Sequence, residues 1–143
     1  MIEALKARGE KIDYCLVGEP TSTRVLGDTL KVGRRGSLSG HLQIYGRQSH
    51  IAYTLKDENP IHATMKIFAE ALDTDWDNNQ HVANFQSTSF QLSNQHAGTG
   101  ATNVVPGHSE TRFNFRYSPV TTAESIQAQF EHLIRKQTLK NMA

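Results

Sequence analysis

A stretch from Lys31 to His50 contains two adjacent arginines, Arg34 and Arg35, near its start and ends with a histidine. The guanidinium group of Arg34 can bind a carboxylate through two parallel hydrogen bonds. The imidazole of His50 could act in acid or base catalysis or donate a hydrogen bond to an oxyanion. Apolar and polar residues alternate from Leu38 to Tyr45, which indicates a strand with one buried face. This strand would place Arg34 and His50 on loops at its opposite ends, where functional groups commonly lie.

Two further groups are candidates for chemistry. Glu19 follows an apolar run, Ile12–Val17, that is typical of a buried parallel strand, so it is either a metal ligand or an ordinary loop carboxylate. Arg116 lies on the polar face of a predicted strand, Glu110–Tyr117, and could bind an anion or pair with an acidic neighbour. Five other histidines have no metal-ligand spacing and are expected to be structural or solvent-facing: His41, His62, His81, His108 and His132.

The composition excludes several classes of protein. The chain has 143 residues, of which 37% are hydrophobic and 20% charged, as in a globular domain with a single core. A net charge of +1 gives no basic field, so we expect neither a nucleic-acid partner nor a membrane partner. The single cysteine, Cys15, cannot form an internal disulfide, which favours a cytoplasmic location.

The elements that would position the candidate residues follow from periodicity and capping. Asn59 and Pro60 predict the start of a helix whose apolar stripe consists of Ile61, Met65, Phe68 and Leu72. Alternation across Thr88–Leu92 predicts a second strand, before the third at Glu110–Tyr117. A capping box at Thr121–Glu124 predicts a second helix. The order strand, helix, strand, strand, helix predicts an α+β, ferredoxin-like (split βαβ) two-layer sandwich. It would have an antiparallel sheet, two helices on one face and no final strand.

Several motifs together resemble one enzyme family. They are Val17–Pro20, Gly33–Ser37, Ser49–Tyr53, His96–Gly100 and Asn103–Pro106, supported by Glu58–His62 and Phe113–Tyr117. In this order and spacing the chain resembles the dinuclear zinc aminoacylases and carboxypeptidases, and most closely a desuccinylase branch. Members have a catalytic α/β domain and a smaller α+β lid domain that also forms the dimer. The resemblance implies that residues 1–30 are a trailing segment of the catalytic domain and that residues 31–143 are the lid and dimerisation domain.

The resemblance also implies roles for particular residues. Glu19 corresponds to a carboxylate ligand of one of two zinc ions, which other divalent metals such as cobalt could replace. His50 corresponds to the lid histidine that enters the active site of the partner subunit of a homodimer and binds the carbonyl oxygen. Arg34, Asn103 and Arg116 match positions that hold substrate carboxylates or neighbouring polar groups, and Tyr53 is expected close to them. The implied substrate is a small dicarboxylate amino-acid derivative.

The chain departs from this family in ways that matter. It lacks the His-x-Asp zinc motif, the Glu-Glu pair and the C-terminal zinc histidine, and Ser49 stands where glycine is usual. Because a catalytic zinc needs about three protein ligands, we predict that this chain alone is inactive and binds no zinc tightly. Two alternatives stay open, namely the lid of another N-acyl-amino-acid deacylase and a free-standing ferredoxin-like module that binds RNA or a small ligand.

Overall fold

The computed structural model describes residues 2–14, 20–31 and 33–140. The chain divides into two compact units, Met1–Arg34 and Arg35–Ala143. The described helices and strands are α1 (Ile2–Ala7), β1 (Gly36–Tyr45), β2 (Ser49–His50), α2 (Pro60–Asp73), β3 (Ser89–Ala97), β4 (Val104–Val105), β5 (His108–Tyr117) and α3 (Ala123–Lys140). None of the described helices is long and apolar enough to cross a membrane.

The first unit contains a short helix and a polar connector. Helix α1 is followed by Gly9 at φ +68°, the left-handed conformation in which glycine commonly ends a helix. The predicted strand Ile12–Val17 is wrong for its described part, because residues 12–14 are exposed and form no strand. A strand needs a neighbouring backbone for its hydrogen bonds, and none of the described residues supplies one. The rest of that run and Glu19 lie outside the described residues.

The connector in the first unit is closed by one carboxylate. The backbone N–H groups of Thr23 and Arg24 donate to Asp28 at 2.9 and 2.8 Å, and that of Val25 donates at 3.2 Å. These three bonds favour the ionised form and hold the pKa of Asp28 well below its usual range. The segment 21–29 is therefore a connector organised by turns and not an edge strand.

The second unit is built on a three-stranded antiparallel sheet in the order β1-β5-β3. Along β5, the side chains of Phe113 and Phe115 lie on the core face and those of Arg112 and Arg116 on the other, as the alternation predicts. This strand order is that of a ferredoxin-like sheet whose position beside β1 is open. No strand follows α3 in the described part of the chain.

Both long helices cover the same face of the sheet and enclose an aromatic core. Phe115 is 1% exposed and Ile126 of α3 is fully buried. Trp76, in the loop after α2, contacts Phe115 edge-on with 4.7 Å between ring centroids. Its indole N–H donates to the carbonyl of Ala71 at 3.2 Å, so the ring is buried without an unpaired donor. The predicted α+β sandwich with two helices on one face is confirmed.

Helix α2 begins as predicted but presents a different face to the core. The side chain of Asn59 accepts the N–H of Ile61 at 2.9 Å, and Pro60 occupies the first turn. The buried residues are Pro60, Thr64, Ile67, Phe68 and Ala71, while Met65 and Leu72 of the predicted stripe are exposed. The predicted stripe is confirmed at Phe68 and wrong at Met65 and Leu72. The buried face is shifted toward Thr64, whose hydroxyl donates to the Pro60 carbonyl at 2.8 Å and is hydrogen-bonded to the Ser109 hydroxyl at 2.9 Å.

Helix α3 is capped one residue later than the sequence pattern predicts. The helix begins at Ala123, and the hydroxyl of Thr122 accepts the N–H of Ser125 at 3.2 Å. Thr121 was the wrong choice because two consecutive threonines offer the same hydroxyl, and only Thr122 immediately precedes the helix.

Candidate functional site

His50 and Asn103 are brought together by an extension of the β1–β5 ribbon. Beyond Tyr45 and His108 the ladder continues through Gly46, whose N–H donates to the Gly107 carbonyl at 2.9 Å. Strands β2 and β4 then pair in an antiparallel register that sets His50 opposite Val104. The next residue, Ile51, donates its N–H to the carbonyl of Asn103 at 3.0 Å. Two candidates distant in the sequence are therefore neighbours at one end of the ribbon.

Tyr53 completes this group, which we call the histidine cluster (His50, Tyr53 and Asn103). The N–H of Tyr53 donates to the His50 carbonyl at 2.9 Å, and the two rings lie 5.6 Å apart between centroids. The N–H of Ala52 donates to Nδ1 of His50 at 3.2 Å. All three members of the cluster are exposed, so their polar atoms are available to a ligand.

The loop that carries the cluster is closed at its base. Arg47 donates its N–H to the Glu58 carbonyl at 3.1 Å, and its guanidinium lies 3.4 Å from the Glu58 carboxylate. Gly46 allows this closure, because a β-carbon there would lie 2.2 Å from the Glu58 carbonyl oxygen. No periodic pattern in the sequence predicts this closure. The one sequence signal for it is Gly46, a residue type that commonly ends a strand.

Arg116 lies at the opposite end of the sheet from the histidine cluster. It is exposed near the end of β5, between Ser37 of β1 and Ser89 of β3. The eight residue steps of β5 from His108 to Arg116 span about 27 Å, and the histidine cluster lies beyond His108. One protomer therefore does not bring Arg116 and His50 into a common small-molecule site.

A second arginine borders Arg116. The guanidinium of Arg35 donates to the carbonyl of Ser87 at 2.9 Å and to that of Arg116 at 3.5 Å. The carbonyl oxygens hold the Arg35 side chain across the end of the sheet, while the guanidinium of Arg116 makes no ion pair with a described residue. Two guanidinium groups therefore lie near this end of the sheet, where the Asp77 carboxylate also accepts hydrogen bonds from Thr88 and Ser118.

The other two candidate residues, Arg34 and Glu19, do not belong to the second unit. Arg34 is the last residue of the first unit and is exposed there. Glu19 lies outside the described residues. Among the residues that the structure describes, no group of three or more histidine, cysteine, aspartate or glutamate side chains could hold a metal ion. The described residues therefore do not fit a zinc pair.

The outer face of the sheet bears on the RNA-binding alternative. Single-stranded RNA is commonly bound by aromatic rings exposed on a sheet. Here Phe113 and Phe115 are buried at 7% and 1% exposure, and the outer face instead carries polar groups such as the His41–Glu110 pair at 3.2 Å. These two phenylalanine rings fill the core and are therefore not available to stack on RNA bases.

Comparison with known proteins places this fold in a family. The family model described as a peptidase dimerisation domain matches residues 32–142. The chain is 52% identical over 136 residues to a succinyl-diaminopimelate desuccinylase of Halorhodospira halophila, covering 95% of this chain and 35% of that protein. It is 50% identical over 139 residues to a protein of the same name from Dechloromonas aromatica, covering 97% of this chain and 36% of that protein. The chain thus spans about a third of the length of these curated relatives.

Solved structures share the fold at low sequence identity. An M20 family metallo-carboxypeptidase from Sulfolobus solfataricus matches with a TM-score of 0.61 and 12% identity, over 75% of this chain and 41% of that one. A putative amidohydrolase/peptidase from Burkholderia cenocepacia matches with a TM-score of 0.58 and 11% identity, over 76% of this chain and 26% of that one. With the family model matching most of its residues, the chain belongs to the M20 peptidase dimerisation-domain family.

Proposed function

We propose that this chain is the lid and dimerisation part of a longer hydrolase that cleaves N-succinyl-LL-2,6-diaminopimelate to succinate and LL-2,6-diaminopimelate. The observation that carries this proposal is the identity of about half of all residues, over almost the whole chain, to proteins named succinyl-diaminopimelate desuccinylase. The reaction belongs to lysine biosynthesis in the cytoplasm. Residues 1–30 would trail from the catalytic domain, and residues 31–143 would form the lid.

The metal chemistry would reside in the rest of the longer protein. We assign it two zinc ions, or other divalent ions such as cobalt, with Glu19 as one ligand. Since the described residues contain no cluster able to hold a metal, we assign the remaining ligands to the rest of the longer protein. The chain by itself would then be inactive.

The histidine cluster would bind the acyl carbonyl of the substrate. His50 and Asn103 are exposed and anchored to paired strands, so their side chains can donate hydrogen bonds without rearranging the backbone. Donors aimed at the oxygen where negative charge develops stabilise the transition state of amide hydrolysis. Tyr53 would border the same site.

Arg116 would bind a substrate carboxylate, with Arg34 as the second candidate. Because Arg116 lies at the far end of the sheet from His50, one active site would receive these groups from different subunits. The substrate class agrees with this assignment, since an N-succinyl amino acid with several carboxylates favours the planar fork of arginine. Catalysis would then require the homodimer.

The dimer would form through β3 and α2. Strand β3 is an edge of the sheet, and Leu92 on its core face is 36% exposed. The neighbouring face of α2 leaves Met65 and Leu72 exposed at 63% and 57%. An unpaired edge strand flanked by apolar side chains favours pairing with a second copy.

Two assays on the longer protein test the proposal. Substrate profiling should show that removing the distal carboxylate of the acyl group greatly lowers kcat/KM. Equal activity on N-acetyl analogues would instead support another N-acyl-amino-acid deacylase.

Subunit mixing tests the division of labour between subunits. Homodimers of the His50→Ala and Arg116→Ala variants should each be impaired. The mixed dimer should regain activity, because one of its two sites receives both wild-type residues. Mixed dimers that stay as impaired as the homodimers would show that both residues serve the site of their own subunit.

A further inference from the structure

Two hydroxyl groups join the residues on either side of the turn that carries His50. The hydroxyls of Ser49 and Thr54, both half-buried, are hydrogen-bonded to each other. The Thr54 hydroxyl also donates to the His50 carbonyl at 3.1 Å. We call this arrangement the hydroxyl latch (Ser49 and Thr54).

The direction of the bonds in the latch follows from proton counting. A hydroxyl has one proton, and a backbone carbonyl can only accept. Since Thr54 gives its proton to the His50 carbonyl, Ser49 must donate to Thr54. The same carbonyl accepts the N–H of Tyr53 at 2.9 Å, so two donors restrain the His50 peptide group.

The turn held in this way determines how the imidazole meets a ligand. The N–H of Ala52 reaches Nδ1 of His50 at 3.2 Å, and a backbone amide can only donate. Nδ1 is therefore the acceptor and carries no proton in this arrangement. The proton of the neutral ring then lies on Nε2, which becomes the hydrogen-bond donor.

We propose that Ser49 and Thr54 are positioning residues for His50: their latch fixes the turn in which the Ala52 amide binds Nδ1, so that His50 presents Nε2–H to the substrate. This inference rests on the proposed function, in which His50 binds the acyl carbonyl oxygen. The latch would set the orientation of His50 in advance. A hydrogen-bond donor stabilises an oxyanion fully only when its orientation is fixed before the oxyanion forms.

Nuclear magnetic resonance on this chain tests the latch without any assay of activity. At a pH where the imidazole is neutral, wild-type His50 should show a pyridine-type nitrogen at Nδ1 and a pyrrole-type nitrogen at Nε2. The amides of Ala52 and Tyr53 should be protected from hydrogen exchange. Thr54→Val, which keeps the shape but loses the hydroxyl, should shift both nitrogen resonances and remove the protection.

Two matched variants separate the latch from a general effect on folding. Thr54→Ser restores the hydroxyl and should return the nitrogen shifts and amide protection toward the wild-type values. Thr121→Val makes the same replacement at a half-buried threonine outside the loop and should leave His50 unchanged. A pyrrole-type Nδ1 in the wild type, or identical spectra for wild type and Thr54→Val, would overturn the proposal.

Kinetics on the longer protein distinguish failure of the latch from failure of the proposed function. Losing one net hydrogen bond that orients His50 should lower kcat about fivefold in Thr54→Val with little change in KM, and Thr54→Ser should recover most of it. If His50→Ala retains full activity, the proposed role of His50 in binding the acyl carbonyl is wrong whatever the spectra show. If His50→Ala is impaired while Thr54→Val matches the wild type in both kcat and spectra, only the latch is wrong.

Discussion

Phe113 of β5 lies directly opposite Gly40 of β1, and its ring covers the α-carbon of the glycine. A β-carbon at position 40 would lie 2.2 Å from Cζ of Phe113. The ring has little room to retreat, because it also packs against Phe130 with 4.8 Å between centroids. The absent side chain at Gly40 is thus a packing requirement of the core.

Gly40→Ala should therefore destabilise the chain by about 1–3 kcal/mol through overpacking. Urea denaturation of this chain measures the change in the free energy of unfolding. In the double variant with Phe113→Leu, the smaller side chain should accommodate the new methyl. The double variant should therefore lose less stability than the sum of the losses measured for the two single variants. Strict additivity would show that the ring does not constrain position 40.

Much of this sheet could be predicted from the sequence, because a strand with one buried face shows its period directly. The alternation of apolar and polar residues predicted strands β1 and β5, and Asn59 followed by Pro60 predicted the start of α2. The structure contains all three elements. The buried face of α2 could not be predicted in the same way, since Thr64 enters the core through hydrogen bonds to Pro60 and Ser109. A helix face predicted from apolar residues alone omits a polar residue whose hydrogen bonds are satisfied inside the core.

The histidine cluster was only partly predictable. Strands β2 and β4 have two residues each, too few for any periodicity, so the pairing of His50 with Val104 depends on the long ribbon that precedes it. The resemblance named His50, Tyr53 and Asn103 one by one. Their proximity to each other, and the separation of Arg116 from them, required the register of the sheet.

Asp77 fastens the loop after α2 to the ends of two strands. It is 3% exposed and accepts the N–H of Thr88 at 2.7 Å and the Ser118 hydroxyl at 2.8 Å. Asp77→Asn would direct an amide N–H₂ group at these donors, so we expect a loss of about 2–3 kcal/mol in the free energy of unfolding. Urea denaturation near neutral pH checks this, with exposed Asp73→Asn as the matched control.

The same carboxylate predicts a pH dependence of stability. Burial raises the pKa of Asp77, but the hydrogen bonds from Thr88 and Ser118 outweigh it and hold the pKa below the ordinary 3.8. A depressed pKa in the folded state stabilises the fold above the unfolded-state pKa, and that stabilisation is lost as the pH falls through the folded value. The difference in stability between wild type and Asp77→Asn should therefore be constant near neutral pH and shrink below about pH 4. A constant gap down to acid would contradict this.

The proposed dimer surface predicts a change in association. Replacing exposed Met65 or Leu72 of α2 by lysine places a charge on an apolar contact, so each should raise the dimer dissociation constant about tenfold or more. Sedimentation equilibrium on this chain measures the constant. His50→Ala, outside this surface, should leave it unchanged, and a wild-type chain that stays monomeric at high concentration would refute the assigned surface.

Arg116→Lys tests carboxylate binding at the far end of the sheet. Lysine keeps the charge but loses the bidentate fork, so kcat/KM of the longer protein on the succinylated substrate should fall about 10- to 100-fold. Arg112→Lys, four residues earlier on the same exposed face of β5, is the matched control and should change little. Equal effects of the two substitutions would mean that the sheet face acts only through its overall charge. A specific loss at Arg116 would mean that its fork contacts the substrate.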